Sequence, residues 1–292
     1  MVLAGRSSGT AVFGRILVYG ILLLFAAYFL LPLFFMVATS LKSLEELRQG
    51  TFLSLPSHVT FWAWWEAWVD GCEGVQCGGA LGGHFINSLE FTIPAVLIST
   101  ALGALNGYAL TKVRFPGANI VFGMLLFGCF IPFQSILLPM AFTLGKLGLA
   151  STITGLILTH VVYGLCFTTL FFRNFYVTVP DELVHAATID GAGFFSTFWR
   201  IMVPISLPII TVTLIWQFTQ IWNDFLFGAS FTRGNAQPIT VALNNLVNTS
   251  EGVKRYNVDM AAAMIAAAPT LIVYVLAGKY FIRGLTAGAV KG

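Results

Sequence analysis

Amide and carboxylate side chains at helical spacing are what this sequence offers for holding a solute. Thr213, Gln217, Gln220 and Asp224 fall at i, i+4, i+7 and i+11, so one helix carries them as a single polar stripe. Asn223 adjoins the stripe, and Trp216 and Trp222 flank it. Amides and hydroxyls beside aromatic faces suit a neutral, hydroxyl-rich solute, because each buried polar group needs a partner. The same groups can equally serve as hydrogen-bonded ties between helices. For Asn106 the tie is the better reading, and for the stripe both readings stand. Asn87, Tyr108, Gln134 and Ser135 bring further polar groups into apolar surroundings.

Covalent chemistry has no comparable foothold. Gly145-Lys146 and Thr111-Lys112 lack the GxxxxGK[ST] frame that cradles phosphates, and no HExxH or GxSxG string occurs. His58, His84, His160 and His185 are scattered, and the cysteines include no CxxC pair. The expectation is no catalytic residue, no metal and no cofactor in this chain, so any ATP must be bound by a different one. Charges within apolar runs are few, and Glu90 and Asp224 stand toward the ends of theirs. Ion-coupled carriers ordinarily keep an ionisable group or a broken helix at the membrane midplane, which argues against that mechanism.

The elements that must position these residues are membrane spans. Of the 292 residues, 57% are hydrophobic and 9% charged, against about a quarter charged in soluble domains. Mean hydropathy is +0.85. The net charge of +3 is too small and dispersed to suggest nucleic acid. Apolar runs of about 20 residues cross a bilayer, and they fall at 16–38, 86–111, 120–144, 152–172, 201–227 and 260–282. This predicts an all-α membrane protein with six transmembrane helices in one domain, 1–292. The first run is too long for a signal-peptide core and reads as an uncleaved span. Pro132 and Pro139 are expected to kink the third span, and Pro204 and Pro208 the start of the fifth. Ser99, Gly103 and Gly107 make a ridge of small residues for close helix contact.

Six spans put both ends of the chain on one side. Nine of the 15 Lys and Arg fall there, which makes that side cytoplasmic by the positive-inside rule. Segment 174–200 then lies in the cytoplasm, and the loops at 40–84 and 230–258 face outward. Phe61, Trp62, Trp64, Trp65 and Trp68 read as an interfacial helix, with a surface for an external partner as the sharper alternative. Cys72 and Cys77 share the outer loop, in an oxidising compartment, and are expected to pair. So short a bridged loop contributes about 2 kcal/mol by the chain-entropy model. Peptide mapping without reductant should find the linked pair; two freely alkylated thiols would overturn it.

The cytoplasmic side carries one long polar-leaning stretch, Pro180 to Pro208. Pro180 suits a first helical position, Asp181 and Glu182 suit the positive start of a helix, and Gly191 allows a left-handed stop. Leu183, Ala186, Ala187 and Asp190 share one face of this short helix, and small residues there let a partner surface come close. The stretch resembles the EAA-x-x-x-G coupling motif, followed by I-x-L-P, of ABC importer permeases. Ala186, Ala187, Asp190, Gly191, Ala192, Ile201, Pro204 and Pro208 carry the resemblance. His185 stands where that family usually has Glu, with Glu182 on nearly the same face. Beyond the motif, IWNDFLFGASFTR, LNNLV, GVKRYNV and RGLTAGAVKG resemble the maltose-type carbohydrate permeases, most of all the glucose/mannose branch.

The resemblance implies one permease subunit of an ATP-driven bacterial sugar importer in the inner membrane, with both termini cytoplasmic. It implies a second permease subunit, two ATPase subunits that bind ATP and Mg, and a periplasmic or extracellular sugar-binding protein. It assigns ATPase docking to Glu182, Leu183, His185, Ala186, Ala187, Asp190, Gly191 and Ala192, and contact with the binding protein to the outer tip at Arg233, Gly234, Asn235 and Gln237. Trp216, Gln217, Gln220, Asn223 and Asp224 are the candidates for the sugar path. The rival is a stand-alone secondary carrier or channel for a neutral solute, with the cytoplasmic helix a mere linker.

Overall fold

The structure, a computed structural model, describes residues 8–50, 54–69, 80–113, 115–248 and 254–289. Its helices are α1 (Ser8–Ser40), α2 (Leu44–Gln49), α3 (Trp62–Val69), α4 (Leu81–Lys112), α5 (Ala118–Phe130), α6 (Phe133–Lys146) and α7 (Ile153–Val177). Then come α8 (Asp181–Ile189), α9 (Phe194–Thr197), a π-helical turn at Phe198–Met202, α10 (Val203–Ile205), α11 (Leu207–Trp222), α12 (Leu226–Phe231), α13 (Ile239–Asn248) and α14 (Tyr256–Ala289). No strand occurs among the described residues. Cys72 and Cys77 lie outside them.

Helices α1, α4, α7 and α14 are each long and apolar enough to cross a bilayer. Contacts along α4 give the directions of the rest. Phe91 stacks on His160, Thr168 Oγ1 donates to the Ser99 carbonyl at 3.0 Å, and Lys112 Nζ reaches the Val179 carbonyl. Helices α4 and α7 therefore run parallel, and the chain between them has to return across the layer. That return is α5 and α6, which meet at 105°. Helix α11 runs against α4: Gln217 Nε2 donates to Ser99 Oγ, while Trp222 lies on Phe85 nearer the start of α4. At the other end of α14 from its C-terminus, Asn257 Nδ2 donates to the Lys42 carbonyl just beyond α1. Six crossings result, with the start of α1, the end of α14 and α8 on one side.

Two expected spans differ from single helices. The third, 120–144, breaks at Ile131 and Pro132. Proline lacks the N–H for the helical ladder and pushes its predecessor out of the α region; Ile131 accordingly sits at φ −70, ψ 120. Pro139 lies inside α6 and does not end it. In the fifth, 201–227, residues up to Ile205 are bent 79° from α11, and α12 follows a break after Trp222. At that lower bend Ser206 Oγ donates to the Met202 carbonyl and accepts the Tyr176 hydroxyl at 3.0 Å, which ties the bend to α7. The outer loops also hold helices: α2 and α3 within 40–84, and α13 within 230–258.

Helix α4 is the common wall of three cores. The outer one joins Leu81 to Ala63, Trp222, Ile239 and Val258. The middle one joins Phe91 and Ala95 to Leu156, Ile221 and Phe227. The inner one joins Ala104 and Tyr108 to Phe172, Tyr176, Phe198 and Met202. Helix α1 instead leaves Phe13, Leu23 and Phe29 exposed, as a lipid-facing span does.

Candidate functional site

A cavity of about 490 Å³ lies where α7, α11 and the turn into α12 meet. Trp216, Gln217, Gln220, Asn223 and Asp224 all line it, so the sequence-derived candidates share one space. Helix α7 adds His160, Tyr163 and Phe167, and α12 adds Phe227. Trp216 is fixed by Phe167 and Phe171, with ring centroids 5.1 and 5.2 Å away.

The polar stripe does not act as one. Thr213 is buried and its hydroxyl donates back to the Ile209 carbonyl at 2.8 Å. Gln217 is 2% exposed; its amide donates to Ser99 Oγ at 2.7 Å and lies flat against Gly164, where a Cβ would collide with it. Gln217 is thus a tie between α11 and α4. Trp222 faces away from the cavity and donates to the Ala266 carbonyl at 2.9 Å. Gln220 and Asn223 remain exposed at the cavity wall. Asn106 is also a tie, reaching Thr169 Oγ1. Gln217→Leu should therefore destabilise the fold by about 1 kcal/mol, the scale of an interhelical hydrogen bond. Gln220→Leu should leave protein levels unchanged and reduce solute uptake. Size-exclusion yield and uptake, measured side by side, separate the two; wild-type uptake by Gln220→Leu would remove it from the path.

Asp224 owes its position to backbone. Its carboxylate accepts the N–H groups of Phe227 and Gly228, each at 3.1 Å, which caps α12. Its carbonyl accepts Thr240 Oγ1 at 2.6 Å. His160 Nε2 lies 3.7 Å from Asp224 Oδ2, too long for a direct hydrogen bond. The imidazole is stacked on Phe91 and edge-on to Phe227, each at 5.5 Å. Sequence reasoning passed over His160 because it sought only Asp, Glu, Lys and Arg in the spans; a lone His in an apolar run carries the same signal.

The outer tip is held by the start of α4. Gln237's carbonyl accepts His84 Nδ1 at 2.8 Å and Asn87 Nδ2 at 3.1 Å. Asn87 also donates to the Asn235 carbonyl, and Ser88 Oγ accepts the Ile239 N–H at 2.9 Å. Arg233, Gly234 and Asn235 are exposed, with Gly234 at φ +55. A fixed backbone therefore presents an exposed polar tip.

On the opposite side, α8 ends in a left-handed cap. Gly191 takes φ +80, the Ala192 N–H reaches the Ala187 carbonyl at 2.8 Å, and the Gly191 N–H reaches that of Thr188 at 3.0 Å. This pair of bonds is the Schellman arrangement. Ala187, placed by sequence on the partner-facing side, is instead 6% exposed and turned into the chain's own fold. A helical face 100° wide can be assigned from spacing, but its inner edge depends on where the chain folds back, and α9 follows at once. Glu182, Leu183, His185, Ala186 and Asp190 are exposed, as is Ile189. Lys112, which the sequence analysis gave no part in this helix, joins it to α4: its ammonium contacts both the Val179 carbonyl and Asp181. Its place in the last turn of α4 suits the helix dipole.

Comparison with known proteins follows the same lines. Residues 99–286 match the family described as binding-protein-dependent transport system inner membrane component. A "probable ABC transporter permease protein" of Pyrococcus horikoshii is 42% identical over 280 residues, 95% of this chain and 98% of that protein. The xylose/arabinose import permease protein of Haloferax volcanii is 31% identical over 93% of this chain and 92% of its own length. In structure, a chain of a bacterial ABC transporter that imports the acidic polysaccharide alginate superposes with TM-score 0.80 at 21% identity, covering 95% of this chain and 99% of that one.

Proposed function

The chain belongs to the family of binding-protein-dependent transport system inner membrane components, and from that premise we propose that it is a permease subunit of an ATP-driven importer of glucose, mannose or a related small saccharide. The observation that carries the reading is α8: a capped, exposed helix beside the membrane layer, tied through Lys112 to the span that walls all three cores. In this reading two ATPase subunits, binding ATP and Mg, seat on Glu182, Leu183, His185, Ala186 and Asp190, with Gly191 and Ala192 closing the helix. Ala187 supports that face from within. Movement of the ATPases reaches α4 through Lys112 and α11 through the bend at Ser206. A second permease subunit completes the path, and the side bearing both termini and α8 is cytoplasmic.

The aromatic and amide lining of the cavity supports a neutral saccharide, with Trp216, Gln220, Asn223 and Asp224 facing it and Gln217 bracing it. The tip at Arg233, Gly234, Asn235 and Gln237 is the proposed contact for an external sugar-binding protein. The test is purification followed by uptake of labelled glucose, mannose, xylose, arabinose and trehalose. ATPase subunits that co-purify, together with ATP-dependent uptake of one or more sugars, are the expected result. Transport by this chain alone in liposomes would instead favour a stand-alone carrier or channel.

A further inference from the structure

We propose that His160 and Asp224 form a hydroxyl-binding pair, a saccharide subsite that this chain itself contributes to the path; the proposal rests on the sugar-import reading. His160 Nε2 is buried without a hydrogen-bond partner, and its residue lines the cavity. A buried polar atom left unmet is costly, so the arrangement favours a bound group that meets it. Asp224 is 3.7 Å away, and its backbone-capped carboxylate cannot swing over to close the gap. One oxygen placed about 2.8 Å from both atoms bridges them with ordinary hydrogen bonds. With the Nε2–H tautomer, His160 donates to that oxygen and the oxygen's own proton goes to Asp224. A sugar hydroxyl has this donor-plus-acceptor character.

The neighbours fit the rest of such a solute. Trp216, Tyr163 and Phe167 offer apolar faces to the C–H surface of a sugar ring, and Gln220 and Asn223 offer amides to further hydroxyls. The pair joins α7 to the break between α11 and α12, so a hydroxyl seated there touches both halves of the cavity wall. Phe91 and Phe227 hold the imidazole from two sides, which fixes its donor without using it.

Two substitutions at His160 separate binding from packing. Phe keeps the stack and loses the donor; Gln keeps a donor and loses the stack. Each is placed in the complete transporter, with its partner permease, ATPases and binding protein, in proteoliposomes. Uptake of labelled glucose, mannose, xylose, arabinose and trehalose is read per mole of assembled complex. The expected result is a loss of about tenfold with His160→Phe for the best-transported of these sugars, the equivalent of one buried hydrogen bond. His160→Gln should retain most of the uptake. Asp224→Asn, which keeps one cap oxygen, should lose uptake as His160→Phe does. The reverse order, Phe active and Gln inactive, would make the ring a packing piece and overturn the subsite. Wild-type uptake of every transported sugar by His160→Phe would mean that the bridging position holds only water, and would overturn it too. If the unaltered complex moves none of the five sugars, the sugar reading falls and the subsite falls with it, whereas normal unaltered transport with indifferent variants removes the subsite alone.

Discussion

Ile189→Glu is expected to strip the ATPase subunits from the purified transporter at least tenfold while leaving the amount of this chain in the membrane unchanged. Ile189 is 86% exposed at the end of α8, so the isolated chain gains nothing from its side chain. Buried against a partner, an isoleucine contributes about 1.5–3 kcal/mol, and 1.4 kcal/mol is tenfold in affinity. A carboxylate in its place would also enter the contact unpaired, at further cost. Ala186→Arg, on the same exposed face, should behave alike. Ala187→Arg is a poor test by contrast: its side chain points into the chain's own fold, so the expected result is less protein rather than unlatched protein. Gly191→Val should fall between, because φ +80 strains a β-branched residue by about 1–2 kcal/mol and loosens the cap without touching the docking face. His185→Gln should be mild if the exposed imidazole is only a neutral contact, and severe if a partner carboxylate pairs with it. Full ATPase retention and full transport by Ile189→Glu would show that α8 is not the docking helix.

The parts of this molecule set by local rules were readable from the sequence. Helix α8 is one, because Pro180, Asp181, Glu182 and Gly191 act on the backbone within a few residues of themselves. The α-class is another, because lipid leaves an apolar backbone few alternatives to helix. The two bends in the spans fall where the sequence places kinks, at Pro132 and between Pro204 and Pro208, but proline alone does not decide which helix stays continuous. Pro94, Pro139 and Pro269 sit inside unbroken helices, whereas Pro132 separates α5 from α6 at 105°. What differs is the surrounding structure that accepts or rejects the straight course. The polar stripe shows the same limit: its period placed Gln217 and Gln220 on one face, yet only the arrival of Ser99 and Gly164 makes Gln217 a tie. His160 needed the fold as well, because its partner Asp224 is 64 residues away in the chain and held by α12.

Gly107→Leu should be the most destabilising single change in the membrane layer. A Cβ there would stand 2.7 Å from Phe172 Cβ and 2.8 Å from the Arg173 backbone nitrogen. Neither neighbour is a flexible side-chain end, so α4 and α7 must part. One turn earlier the same holds at Gly103, where a Cβ would stand 2.5 Å from Thr168 Cβ. Overpacking of this kind costs about 1–3 kcal/mol, and here it acts on the helix shared by all three cores. Separation would also pull Lys112 from Val179 and Ser99 from Thr168, so the loss should reach coupling as well as stability. Gly83 supplies the control on the same helix: nothing lies within 4 Å of its missing Cβ, and Gly83→Ala should stabilise by about 0.5–1 kcal/mol through backbone entropy. Thermal aggregation of the detergent-solubilised complex reads both. A Gly107→Leu protein that aggregates at the wild-type temperature would mean that α4 and α7 do not meet along this ridge, and the parallel pair from which the directions of the other spans follow would have to be abandoned.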